Sequence, residues 1–191
     1  MLLPPSFLGI LTLIVLLPCF DCKLCNENPP TSYLCTFQNG SKIDLTSLGL
    51  KDKPGFSFKE DSSTIYTYNP RYNFTIDRVC KDAAACQSVS NADTVSNYLL
   101  ATQEVDSWSE CTSSSKEKAT CIKFKEAKTT EVRKTILELI CDLEGGDNNE
   151  FKFEKEDPKL TYHMSLKSKY ACPITSGFRF VRILAIIETK V

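Results

Sequence analysis

Residues 162–172 read Tyr-His-Met-Ser-Leu-Lys-Ser-Lys-Tyr-Ala-Cys. The even positions carry Tyr162, Met164, Leu166, Ser168, Tyr170 and Cys172, the odd ones His163, Ser165, Lys167 and Lys169, with Ala171 the exception. Side chains alternate across a strand with period two, so this pattern predicts a β-strand with one buried and one wet face. Upstream, residues 133–141 (RKTILELIC) are β-branched and apolar and run into Gly145-Gly146-Asp147-Asn148-Asn149, a turn cluster. Residues 65–69 (IYTYN) form another strand candidate, stopped by Asn69-Pro70, and 74–79 resume its composition. Residues 119–124 add a further one. Residues 92–104 have moderate helix propensity without caps or a clear period, and the Lys/Glu-rich stretch 116–131 reads as a solvated hairpin or loop. The expected class is all-β, closed or sandwiched, with disulfide staples.

The chain has 191 residues; 23 Lys+Arg against 24 Asp+Glu leave a net charge of −1, which offers no broad footprint for nucleic acid or an anionic membrane. A single histidine, His163, excludes His-rich metal sites and any mechanism needing two histidines. Residues 1–20 carry no charged side chain, and 7–17 are almost wholly apolar. That length suits a signal-peptide core and falls short of a membrane span. Ten cysteines agree with an oxidising compartment; if Cys19 leaves with the signal, nine remain, an odd number. Cys22-Lys23-Leu24-Cys25 has CxxC spacing but no matching second pair, so neither zinc nor redox chemistry follows from it. Two glycosylation triplets, Asn39-Gly40-Ser41 and Asn73-Phe74-Thr75, fit a luminal or extracellular address.

Four segments, in order, resemble the mannose 6-phosphate receptor homology domain, the lectin module of lysosomal-enzyme sorting receptors. They are Cys35 with Ile43-Asp44-Leu45-Thr46-Ser47-Leu48, the run from Tyr72 to Cys80 with Ala83-Ala84-Ala85-Cys86-Gln87, residues 133–142, and Tyr162-His163-Met164 through Tyr170-Ala171-Cys172. The resemblance implies a flattened β-barrel of two crossed antiparallel sheets, with a sugar pocket at one end. It implies residues 1–20 as signal peptide, 21–32 as lead-in, 33–173 as the lectin domain and 174–191 as a C-terminal tail. Four residues grip the mannose ring in the family; here the glutamine matches Gln87, the arginine Arg133 and the tyrosine Tyr162. The glutamate lies just before that tyrosine, where Glu154 and Glu156 compete; Glu156 is preferred because Asp157-Pro158 behind it makes a turn. The bridges implied are Cys35–Cys80 and Cys141–Cys172, with Cys111 and Cys121 pairing together or one of them joining Cys86.

The four side chains also make chemical sense on their own terms. A pyranose hydroxyl both donates and accepts, so a pocket needs a fixed donor fork, an acceptor-only carboxylate and groups able to do either. Arg133, Glu156, Gln87 and Tyr162 supply these, and no metal or other cofactor is called for. Parity adds support: Arg133 and Cys141 differ by eight and Tyr162 and Cys172 by ten, both even. In unbroken strands a Cys141–Cys172 bridge therefore puts Arg133 and Tyr162 on one side, ~25–35 Å away along the strands.

The sequence departs from the family in places. A cysteine usual two residues before the pocket tyrosine is Leu160 here. Residues 106–111 correspond to a loop that meets phosphate in some members, but Glu110 would repel one. The single tryptophan, Trp108, fits sugar stacking and core packing equally. The apolar stretch 183–187 is too short to span a membrane, so a soluble form or a fragment is expected. The function implied is a non-enzymatic lectin for mannose-bearing N-glycans of luminal glycoproteins, phosphorylated or not, in lysosomal sorting or quality control. The competing reading is a protein-interaction module that keeps the fold and has lost the sugar. His163 has no nucleophile–base motif beside it, so an enzyme is the distant third.

Overall fold

The computed structural model describes residues 25–129 and 131–175. The expected signal peptide, Cys22 and most of the C-terminal tail lie outside the described residues. Within them the protein is all-β and forms three sheets. A small one has the order β1 (Leu34–Thr36), β2 (Ser41–Asp44), β13 (Ile174–Thr175). A four-stranded antiparallel sheet runs β3 (Phe56–Lys59), β4 (Thr64–Tyr68), β5 (Ala85–Asn91), β6 (Thr94–Ala101). The largest has the order β11 (Glu150–Glu156), β12 (Thr161–Ser168), β10 (Val132–Cys141), β8 (Lys118–Phe124), β7 (Val105–Thr112), with β9 (Ala127–Lys128) paired to β10. Its inner face packs on the four-stranded sheet around Tyr68, Leu100, Phe124, Leu137, Met164 and Leu166, all at most 2% exposed.

One pair in the large sheet is parallel: β12 lies beside β10 in the register Thr135↔Tyr162 to Cys141↔Ser168. The chain leaves β10, passes over the position of β12 to form β11, then returns as β12 between the two. Residues 161–168 are a strand as predicted, but the face expected to be wet is partly covered, with Ser165 only 3% exposed; a 3-10 turn over Lys169–Ala171 then carries the chain to Cys172. Cys141–Cys172 is bonded, at the opposite end of β10 from Arg133.

Several expectations need correction. Cys35 is bonded to Cys25 and Cys80 to Cys86, so the Cys35–Cys80 bridge does not form. Both cysteines find partners close in sequence, ten and six residues away, with Cα atoms 5.1 and 6.1 Å apart. Of the alternatives for Cys111, the bond to Cys121 across the β7–β8 hairpin is the one observed. Residues 74–79 are no strand despite their composition. Asp77 accepts the backbone N–H groups of Val79 and Cys80, both at 2.8 Å, and the Cys80–Cys86 ring holds the loop bent. Residues 94–101 are strand β6 rather than helix, since Thr94, Val95, Tyr98 and Leu99 pair with β5. Residues 106–111 belong to strand β7 rather than to a phosphate-facing loop. Within 116–131, residues 118–124 form β8 and 127–128 form β9 rather than a loop.

The outer face of the large sheet carries a buried acid. Glu138 is 4% exposed under the β7–β8 turn, where Ser114 donates its backbone N–H at 2.8 Å and its hydroxyl at 3.1 Å to the carboxylate. His163 Nδ1 lies 3.5 Å from the same group. Replacing Glu138 by alanine strands these donors, and bonds to a charged acceptor are worth about 1.5–3 kcal/mol each. We expect a loss of about 2–3 kcal/mol, read as a lower urea midpoint at unchanged slope.

Candidate carbohydrate site

A row of side chains crosses the four-stranded sheet because Tyr66 of β4 pairs with Gln87 of β5, which pairs with Tyr98 of β6. The Gln87 amide donates to the Tyr66 hydroxyl at 2.9 Å. The facing sheet brings Arg133 from the start of β10 and Tyr162 from the start of β12. The parallel register pairs Tyr162 with Thr135, two residues along β10 from Arg133, and both Arg133 and Tyr162 are buried. Phe153 of β11 stacks on Tyr66 with ring centres 4.1 Å apart and planes 4° from parallel.

Arg133 is only 5% exposed. Its two terminal nitrogens donate to Thr129 Oγ1 at 2.9 Å and to Glu131 Oε2 at 2.7 Å, and the guanidinium lies 5.1 Å over the Tyr98 ring. Its Nε is buried with no hydrogen-bond partner among the described residues. A stranded charged donor of this kind costs free energy until an acceptor reaches it.

The structure separates the two competing glutamates. A bulge between Phe153 and Lys155 shifts the register, so Glu156 pairs across from Tyr162. Glu154 instead accepts from Ser165 at 2.5 Å, on the far face with Glu138. Glu156 is exposed at the rim, and its carboxylate accepts the Leu160 backbone N–H at 2.6 Å across the turn it was expected to use. Gln87, Arg133 and Tyr162 therefore meet in one cluster, with Glu156 at its edge. Tyr66 and Tyr162 are 2% and 4% exposed, so the floor is occupied by the protein's own rings, while Gln87, Tyr98 and Phe153 are partly exposed.

Sequence reasoning did not single out Tyr66, Tyr98, Glu131 or Glu60. The first is an inward position of the alternating run 64–68, and Glu131 stands two residues before Arg133; these were the available signals. Burial pushes the Tyr66 phenol well above its ordinary range, and the nearby Glu60 carboxylate adds to this. Burial likewise raises Tyr162, opposed by Arg133 and reinforced by Glu156 and Glu131, and burial alone raises Tyr68. A phenol raised in the folded state contributes no penalty below the unfolded value of about 10 and destabilises the fold as pH climbs past it. An absorbance titration of phenolate up to about pH 11 should fall short of the full complement of seven tyrosines, with the missing amplitude appearing on unfolding.

Other singled-out residues lie apart from this cluster. Trp108 is 3% exposed and donates from Nε1 to the Thr31 carbonyl at 2.7 Å, which settles it as a packing residue that ties the lead-in to the barrel. Cys25 of the CxxC pair is held in the disulfide to Cys35. An open groove of about 660 Å³ runs past Leu99, Thr102, Phe124 and Ala127, but its charged walls pair among themselves, Lys123 with Asp106 and Lys125 with Glu104, both at 3.3 Å. Among the described residues, no helix is long and apolar enough to cross a membrane.

No family model and no curated protein sequence matches the chain. Among solved structures it is similar to domain 11 of chicken IGF2R, a domain of the mannose 6-phosphate receptor homology type, with a TM-score of 0.52 and 15% identity. The likeness covers 73% of this chain and 90% of that one.

Proposed function

From a chain with the fold of the mannose 6-phosphate receptor homology domains, we propose a carbohydrate-binding module that recognises mannose or mannose 6-phosphate on the N-glycans of luminal glycoproteins. What supports the reading is the cluster in which Gln87 donates to Tyr66, Arg133 lies over Tyr98 and Glu156 stands opposite Tyr162. An amide, a phenol and a guanidinium beneath a rim carboxylate supply the donors and acceptors that a hexose presents in return. The role is binding without catalysis, in lysosomal sorting or glycoprotein quality control. The chain works in the secretory pathway or outside the cell, in line with its four disulfides among the described residues. Asn39 and Asn73, both exposed, carry glycans in this reading. Retention on immobilised mannose, eluted by free methyl α-mannoside, tests the proposal; passage straight through the column counts against it.

The burial of Tyr66 and Tyr162, and the internal partners of Gln87 and Glu156, favour a second reading. In it the fold serves as a protein-interaction module whose sugar site has closed. Binding to a partner glycoprotein that survives enzymatic removal of the partner's glycans would select this reading.

A further inference from the structure

A second ordered cluster follows the end of β4. The buried Asn69 side chain fixes its backbone: Oδ1 accepts the N–H groups of Arg71 and Tyr72, both at 3.2 Å, and Nδ2 donates to the Lys53 carbonyl at 2.7 Å. Ser32 donates its hydroxyl to the Pro70 carbonyl at 2.7 Å, and Gln103 donates to the Tyr72 carbonyl at 3.1 Å. Gly49 approaches so closely that a Cβ there would stand 2.7 Å from the Arg71 Cβ. On this frame the Arg71 guanidinium lies 5.4 Å from the Tyr33 ring centre and 5.1 Å from that of Tyr72. Lys51 Nζ lies 6.0 Å from the Tyr72 ring centre. Tyr33, Arg71 and Tyr72 are partly exposed, and Leu50 and Lys51 are exposed. Arg71 donates a hydrogen bond through its backbone N–H. Among the described residues its guanidinium makes neither a hydrogen bond nor an ion pair, and its nitrogens are not buried.

We propose that this patch docks an acidic segment of a protein partner, with a side-chain carboxylate seated on the Arg71 fork. It shares no side chain with the carbohydrate cluster, so it stands whether or not that cluster takes a hexose. Geometry is the first ground. Aromatic rings engage the faces of a guanidinium and leave its in-plane N–H groups free, and that planar fork matches a carboxylate. A fork already held by its surroundings also loses little freedom on binding. Charge is the second. Segments 42–53 and 69–72, which build most of the patch, hold Lys42, Lys51, Lys53 and Arg71 against Asp44 and Asp52. Asp44 is engaged already, accepting the Thr46 N–H at 3.0 Å with Lys42 at 3.8 Å, and Glu104 beside Gln103 pairs with Lys125. The local surplus is positive on a chain whose net charge is −1. Composition is the third, since arginine and tyrosine are the residues enriched at the energetic centres of protein interfaces. One fixed fork and a neighbouring lysine suit one or two carboxylates, whereas a sulfated polysaccharide calls for a longer basic track.

The test is nuclear magnetic resonance titration of the isotope-labelled full chain with a tetraglutamate peptide capped at both ends. A capped tetraglutamine peptide and a sulfated heparin disaccharide serve as comparisons. We expect the glutamate peptide alone to shift the Arg71 side-chain Nε–H and the backbone amides of Lys51 and Tyr72. Arg71→Gln should weaken its binding at least about tenfold, and Arg71→Lys, which keeps the charge without the fork, should recover only part of that. Lys51→Gln, at an exposed position, supplies a variant that keeps the fold and should weaken binding to a smaller degree. Unchanged amide shifts elsewhere in the chain show that each variant is folded. No shift at Arg71, an equal response to tetraglutamine, or full affinity in folded Arg71→Gln overturns the docking point. Tighter binding of the heparin disaccharide at the same residues overturns the choice of a protein partner.

Discussion

Joint replacement of Cys141 and Cys172 by alanine lowers the folding free energy by about 3.7 kcal/mol, the largest stability effect expected among the described bridges. The bond joins residues 31 apart, against separations of 6 for Cys80–Cys86 and 10 for each of the other two described bridges. A cross-link removes more freedom from the unfolded chain as its loop lengthens, and the same relation gives about 2.4 kcal/mol for Cys80–Cys86. At roughly 2–4 °C per kcal/mol for a domain of this size, the melting temperature falls by about 7–15 °C. Calorimetry of the two double variants under non-reducing conditions checks the order. Equal losses would show that loop length does not govern these bridges. The long bridge also fastens β10 to the chain just after β12, the parallel pair that sets Arg133 beside Tyr162, so its loss should loosen the site as well.

The second large effect concerns binding. Arg133→Ala should weaken retention of a mannose ligand about 100-fold, the equivalent of one or two charge-assisted hydrogen bonds. The fold should survive, because the acid left behind, Glu131, has a half-exposed side chain and can be hydrated. Arg133→Lys keeps the charge but gives up the planar fork and the stack on Tyr98, so it should recover only part of the affinity. Far-ultraviolet circular dichroism of both variants separates loss of contact from loss of structure. Undiminished binding by folded Arg133→Ala would remove the guanidinium from the site.

Strands β10 and β12 were legible because their alternation is long; β10 ends at Cys141, and β12 ends at Ser168, a 3-10 turn before Cys172. The even Tyr162–Cys172 spacing assumed an unbroken strand, and the 3-10 turn over Lys169–Ala171 interrupts it. Between Glu154 and Glu156, parity misleads: counting inward from Phe153 by twos reaches Lys155, and only the bulge after Phe153 brings Glu156 opposite Tyr162. A single inserted residue of this kind leaves no mark on composition. Strand β6 was hidden because Ala, Leu and Glu near it favour helix, while the pairing with β5 that overrides them is a tertiary property. Cys35 was paired with Cys80 by the family resemblance alone, and nothing in the spacing ranks Cys25 above Cys80 to correct it. Tyr66 and Tyr98 came to light only with the register of the four-stranded sheet, since residues 66, 87 and 98 share no local pattern.

The order of strands in the large sheet has a consequence for biosynthesis. β12 lies between β10 and β11, yet the ribosome delivers it after both. Until residues 161–168 emerge, the nascent chain holds two facing rows of unpaired backbone groups with nothing between them, the kind of surface that invites pairing with other chains. Because Cys172 also arrives late, the longest bridge can close only after that gap is filled. A ribosome-bound chain stopped before residue 161 should therefore hold lumenal chaperones, and one extended past Cys172 should let them go.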